Sequence, residues 1–144
     1  MKAISYPAMI RYSKDDGSYL VEFPDLEGCL TEGASIEEAL INAKEALSGY
    51  LSSIFERGFS VPETSALKGK NVYMIEPEPE VSTPIMLRKM REELDINQIE
   101  AAKRLNISYQ AYQRLENPTK CNPTIKTLEK VARAFGKELH LEFA

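Results

Sequence analysis

The side chains with the most specific chemistry lie close together in residues 109–114, YQAYQR. Tyr109 and Gln110 lead the stretch, and Gln113 and Arg114 lie about one helical turn further along. A glutamine amide can bond adenine in a bidentate fashion and an arginine can bond guanine, each worth about 1–3 kcal/mol of discrimination. Catalytic chemistry has a weaker basis. His140 stands apart from any acid–base constellation, and Glu22 and Asp25 are too few carboxylates for a two-metal nuclease. There is no Gly-rich phosphate loop and no Ser/His or Cys/His arrangement. Cys29 and Cys121 lack metal-ligand spacing and read as free structural thiols, so no zinc site is expected. The sequence points away from an enzyme and from any cofactor.

The polar run sits in residues 97–116, NQIEAAKRLNISYQAYQRLE, which read as two short helices joined by a tight turn. Ala102 is the small residue where the helices cross, and Leu105, Ile107 and Leu115 face inward. Asn106 takes the turn position that needs a positive φ, and Ser108 can cap the second helix. Before the pair, Thr83 and Pro84 can start a helix that carries Leu87, Met90 and Leu94 at helical spacing. After it come a proline-bearing loop and a fourth helix over 124–135, with Asn122 and Pro123 at its start. Ile125, Leu128, Val131 and Phe135 form its stripe, and Gly136 its stop. An ordinary αα-hairpin shares parts of this pattern. The flanking helices favour a helix-turn-helix, which places its second helix in the DNA major groove.

From Pro84 to Gly136 the chain resembles the Cro/repressor (Xre-type) DNA-binding domain, on the run Gln98…Ala102…Leu105…Ser108…Leu115-Glu116-Asn117. The resemblance implies a phosphate contact for Gln98 at a helix N-terminus. It puts the leading end of a recognition helix at Ser108, Tyr109 and Gln110, with Gln113 and Arg114 beyond, and base contact mainly on Tyr109, Gln110 and Arg114. Asn117 and Lys120 are phosphate candidates. Tyr112 departs from the smaller Val or Ile usual at its position, and its ring is expected to pack with the hydroxyl reaching solvent. The tail 137–143 alternates, with Leu139, Leu141 and Phe143 on one face, and is expected to be a strand. Pairing with the same strand of a second chain would suit a reader of two half-sites, whereas folding back on its own chain is the alternative.

Charge divides the molecule. Residues 1–80 carry 7 Lys/Arg against 14 Asp/Glu, a balance of −7, and residues 81–144 carry 11 against 8, a balance of +3. A basic half suits DNA phosphates, and an acidic half suits a basic protein. No apolar run approaches membrane-spanning length and no signal-peptide core is present, so a cytoplasmic, soluble protein is expected.

In the acidic half, β-formers over residues 3–12 lead to the turn Asp15-Asp16-Gly17. The alternating Tyr19, Val21 and Phe23 follow, then a loop over 24–28 and a short strand at 29–31. Ser35 and Glu38 form a capping box for a long helix carrying Ala39, Leu40, Ala43, Leu47 and Leu51. A last strand is expected over 71–76. Gly17, Gly28 and Gly33 read as turn residues.

The run DGSYLVEFPDLEGCLTEG at 16–33, followed by Ser35, Glu38, Ala39 and Ala43, resembles the HicB antitoxin family. Glu27 departs from the family's usual Pro. The resemblance implies a partial RNase H-like or dsRBD-like domain and a small, basic, mRNA-cleaving partner toxin, HicA. It also implies repression of the chain's own promoter. The expected class is α+β: an antiparallel βββαβ toxin-neutralising domain at 1–76, an extended acidic linker at 77–83, and an all-α helix-turn-helix and dimerisation domain with a C-terminal strand at 84–144. Asp15, Asp16, Asp25 and Glu27 are the candidate toxin contacts. Two rivals are an Xre-type repressor whose first domain senses a small ligand and a metal-dependent nuclease.

Overall fold

A computed structural model describes residues 3–144. Its contacts divide the chain into Met1–Ser82 and Thr83–Ala144.

The first unit holds a four-stranded antiparallel sheet of β1 (Tyr6–Ser13), β2 (Ser18–Glu22), β3 (Leu30–Gly33) and β4 (Val72–Ile75), in the spatial order β3-β2-β1-β4. Between β1 and β2, Gly17 takes φ 63° and its N–H bonds the Ser13 carbonyl at 2.8 Å. The register pairs Ile10 with Val21 and Ala8 with Tyr73. Period-two alternation therefore sends Tyr6, Ala8, Ile10, Val21 and Phe23 to one buried face. The helix α1 (Ile36–Glu56) lies on that face through Ala39, Ala43, Leu47, Leu51 and Phe55. Each large apolar side chain so buried contributes about 1.5–3 kcal/mol.

Ser35 caps α1 by accepting from the Glu38 N–H at 3.1 Å. The reciprocal arm of the box lands one residue early, because the Glu38 carboxylate accepts from the Ala34 N–H at 2.8 Å. Gly33 is not a turn residue. A Cβ there would lie 2.4 Å from the Ala39 nitrogen, so the absence of a side chain is what lets β3 meet α1.

The second unit packs α2 (Pro79–Glu93) from Thr83 onward with α3 (Gln98–Leu105), α4 (Tyr109–Leu115) and α5 (Ile125–Ala134) around one core. Leu87, Ala101, Ala102, Leu105, Tyr112, Leu115, Val131 and Phe135 form it. Three elements differ from what the sequence predicts. First, the segment expected as an extended linker over 77–83 is helical from Pro79 onward, and the Glu78 carbonyl accepts from Val81 and Ser82. Pro79 rather than Pro84 takes the first helical position, where a missing N–H costs nothing, and Pro84 sits inside the helix. Second, Leu94 lies beyond the end of α2 and is exposed. Third, the tail 137–144 forms no strand. Gly136 at φ 72° ends α5, and Leu141 and Phe143 beyond it stand exposed. An extended segment becomes a strand only when a neighbour takes its backbone hydrogen bonds.

Candidate functional site

The turn between α3 and α4 forms as its residue types dictate. Asn106 takes the left-handed conformation, φ 54° and ψ 45°, and the Ile107 N–H bonds the Ala102 carbonyl at 3.0 Å. Asn97 caps α3 by accepting from the Glu100 N–H at 2.8 Å, and Ser108 caps α4 by accepting from the Ala111 N–H at 3.1 Å. Tyr112 and Leu115 then face the core. That leaves Tyr109, Gln110, Gln113 and Arg114 together on the exposed side of α4. The Gln113 amide donates to the Tyr109 hydroxyl at 3.0 Å, which holds two of the four in a fixed relation.

The remaining candidates are spread around this helix. The Ser108 hydroxyl is engaged as a cap. In the following loop, the Asn117 side-chain oxygen accepts from both the N–H and the hydroxyl of Thr119, which orders the turn that carries the exposed Lys120. Gln98 opens α3, and its amide donates to Glu116 at 3.2 Å.

Glu116 is a residue the sequence did not single out as a chemical group. It is 5% exposed and caps the end of α4. Arg91 of α2 grips it with two hydrogen bonds of 2.7 and 2.9 Å and spends a third on the Ile96 carbonyl at 3.0 Å. Arg88 approaches the same carboxylate at 3.9 Å. This pair ties α2 and the start of α3 to the end of α4. The Arg91 guanidinium is held above its ordinary pKa chiefly by its hydrogen bonds to Glu116. The Tyr112 hydroxyl is fully buried, where sequence reasoning expected it to reach solvent, and it makes no hydrogen bond of good geometry. Burial first, and then the neighbouring Glu116, push its phenol far above the usual value.

In the first unit, the four candidate carboxylates do not come together. Asp15 and Asp16 sit at the β1–β2 turn, whereas Asp25 and Glu27 sit in the loop at the other end of the five-residue β2. Strand length alone puts about 17 Å between the two pairs. Asp16 accepts from the Ser13 hydroxyl at 2.8 Å. Asp25 accepts from the Ser65 N–H at 2.8 Å and so anchors the segment after α1. The Tyr6 hydroxyl donates to the Pro62 carbonyl of the same segment, and burial, with Glu63 and Asp25 nearby, raises its pKa to about 12. Glu27 is exposed, and its carbonyl accepts from the Tyr50 hydroxyl at 3.0 Å. Among the described residues, no group of three or more His, Cys, Asp and Glu could hold a metal ion. No described helix is long and apolar enough to cross a membrane.

Residues 6–116 match the profile of the family described as "HicB_like antitoxin of bacterial toxin-antitoxin system". The match runs from β1 through the end of α4. The chain belongs to the HicB-like antitoxin family. It is similar to "Antitoxin HicB" of Escherichia coli (strain K12), at 32% identity over 126 residues, covering 88% of this chain and 90% of that one. "Antitoxin HicB 1" of Photorhabdus laumondii is 33% identical, over 98% of this chain and 88% of its relative. A chain of the solved "Toxin-Antitoxin complex from Streptococcus pneumoniae" is 21% identical with a TM-score of 0.44, over 69% of this chain and 94% of that chain. The antitoxin family and the mixed α+β class are as the sequence implied.

Proposed function

We propose that this HicB-family antitoxin has two jobs on two parts of its chain. The first unit binds and blocks a HicA-type mRNA-cleaving toxin. The second binds operator DNA as a helix-turn-helix and represses the chain's own operon. The observation that carries the reading is the extent of the family match, which spans both the sheet unit and the α3–α4 pair. The charge split supports it, at −7 over residues 1–80 and +3 over 81–144. An enzyme that cleaves RNA presents a basic surface to phosphates, and an acidic protein is attracted to that surface.

On this reading Tyr109, Gln110 and Arg114 meet base edges, with Gln113 orienting Tyr109. Gln98, Ser108, Asn117 and Lys120 lie where phosphates would pass. An amide nitrogen carries two N–H groups, so Gln98 can hold Glu116 and still donate to a phosphate. The exposed Leu141 and Phe143 of the tail are the surface through which two copies pair.

The test uses the full chain. Its own promoter fragment is titrated in a mobility-shift assay across a salt series, and its operon's toxin is added in a parallel binding and growth assay. The reading expects sequence-specific retardation that weakens with salt, and restored growth. Arg114→Ala should lose about 10–100-fold in operator affinity. No specific retardation at low salt would sink the DNA half, and absence of toxin binding would sink the other.

A further inference from the structure

β3 is an edge strand, and beside it α1 leaves a groove of about 520 Å³. Leu30 and Thr31 line one side, and Asn42, Glu45, Ala46 and Gly49 the other. Three features bear on what fills it.

The first is the backbone of the edge. The Phe23 N–H bonds the Cys29 carbonyl at 3.2 Å, which turns that carbonyl toward β2. Alternation along an antiparallel ladder then turns the N–H and C=O of Leu30 and Glu32 toward the open side. The Asn42 amide takes the Glu32 carbonyl at 2.8 Å, which closes that end and leaves the Leu30 groups facing the groove. An outward-facing pair of this kind is what an added strand bonds.

The second is Gly49. It stands inside a 21-residue helix, where glycine lowers helix stability. A Cβ built on it meets nothing within 4 Å, so the fold of the chain itself does not require glycine there. Gly33 is the contrasting case, since its missing side chain is demanded by α1. A glycine that faces open space lets a second backbone come close.

The third is charge. The groove is lined by Glu45 and by no Lys or Arg. The first 80 residues carry −7. A nucleic acid strand is repelled here, and so is the tail of a second copy, whose residues 137–144 carry one Lys against two Glu.

We propose that the β3–α1 groove is where the toxin docks, by adding a basic, extended segment as a fifth strand on the β3 edge, with its backbone passing over Gly49. This rests on the antitoxin reading above and moves the contact away from the loop carboxylates. Leu30 is 64% exposed in the free chain and becomes covered in the complex.

The experiment uses the full chain and the purified toxin of its operon, carried as a variant that has lost its toxicity. Gly49→Gln projects a side chain into the groove from a position where a Cβ meets nothing within 4 Å, and it replaces a helical glycine with a better helix former, so its melting temperature should equal or exceed the parent's. Its toxin Kd should rise at least 100-fold, and that of Glu45→Lys at least 10-fold. Amide exchange at Leu30 should slow at least 10-fold when the toxin binds the parent. A Gly49→Gln variant that binds toxin within threefold of the parent overturns the groove and leaves the antitoxin reading intact. So does unchanged exchange at Leu30 in a formed complex. A variant that shifts the oligomeric state and not toxin affinity assigns the groove to a second copy and overturns the proposal. A parent chain that fails to bind the toxin overturns both.

Discussion

Replacing Glu116 by alanine should be among the most damaging single changes in the second unit. The carboxylate is 5% exposed and receives two charge-assisted hydrogen bonds from Arg91, at 2.7 and 2.9 Å, with a further one from Gln98 at 3.2 Å. Removing it leaves the Arg91 guanidinium with the Ile96 carbonyl as its remaining acceptor. Breaking a buried ion pair by deleting one partner costs about 3–5 kcal/mol, mostly because the other charge stays behind without compensation. In a unit of this size each kcal/mol lowers Tm by roughly 4–8 °C, so a fall of about 12 °C or more is expected. Arg88, half-buried and 3.9 Å from the same carboxylate, is a second cation that loses this neighbour and offers Arg91 no acceptor. The double variant Arg91→Met, Glu116→Leu removes both charges and keeps the volume filled, and should recover most of the loss. Thermal and urea unfolding of the full chain, followed by far-ultraviolet circular dichroism, measures all three. A cost below about 1 kcal/mol for Glu116→Ala would refute the reasoning, as would a double variant no better than the single.

Three further outcomes follow from other parts of the fold. Gly33→Ala pushes a Cβ to 2.4 Å from the Ala39 nitrogen and should cost about 1–3 kcal/mol, read from the urea midpoint; an unchanged midpoint would show that α1 can shift freely. Tyr112→Phe removes a buried hydroxyl that lacks a well-formed hydrogen bond, so stability should change by less than about 0.5 kcal/mol or rise. A loss above about 1.5 kcal/mol would mean that the hydroxyl does bond Glu116. Burial pushes both thiols from 9.0 up to about 11, so at pH 8 iodoacetamide should alkylate Cys29 and Cys121 about 100-fold more slowly than in the urea-unfolded chain. Because the folded values lie above the unfolded one, their contribution to stability is complete below pH 9 and is lost as pH rises through 11. Equal alkylation rates would rule this out.

Local rules carried the sequence reading a long way. The alternation in β2, the cap at Ser35, the left-handed Asn106, the cap at Ser108 and the stop at Gly136 all depend on neighbours within a few residues, and each forms as its residue type requires. The family resemblance was legible for the same reason, since a run with fixed turns is itself a local object. The tertiary structure decided what depends on residues far apart in the chain. Gly33 reads as a turn until α1 is seen against it, because the constraint comes from the Ala39 backbone. The sequence reading starts this helix at Thr83-Pro84 and leaves Pro79 in a linker, whereas the helix starts at Pro79; two prolines five residues apart give propensity no means to choose. The Tyr112 ring was expected to pack with its hydroxyl at the surface, and only the packed core shows the hydroxyl enclosed near Glu116 and Arg91. The tail has a strand's alternation but forms no strand, since a ladder needs a second backbone and one chain does not supply it. The candidate carboxylates at 15, 16, 25 and 27 look clustered in sequence, yet β2 lies between them and holds the two pairs apart. The groove beside β3 appears only once the edge strand and the helix that follows it pack side by side, which brings Leu30 and Asn42 to one groove.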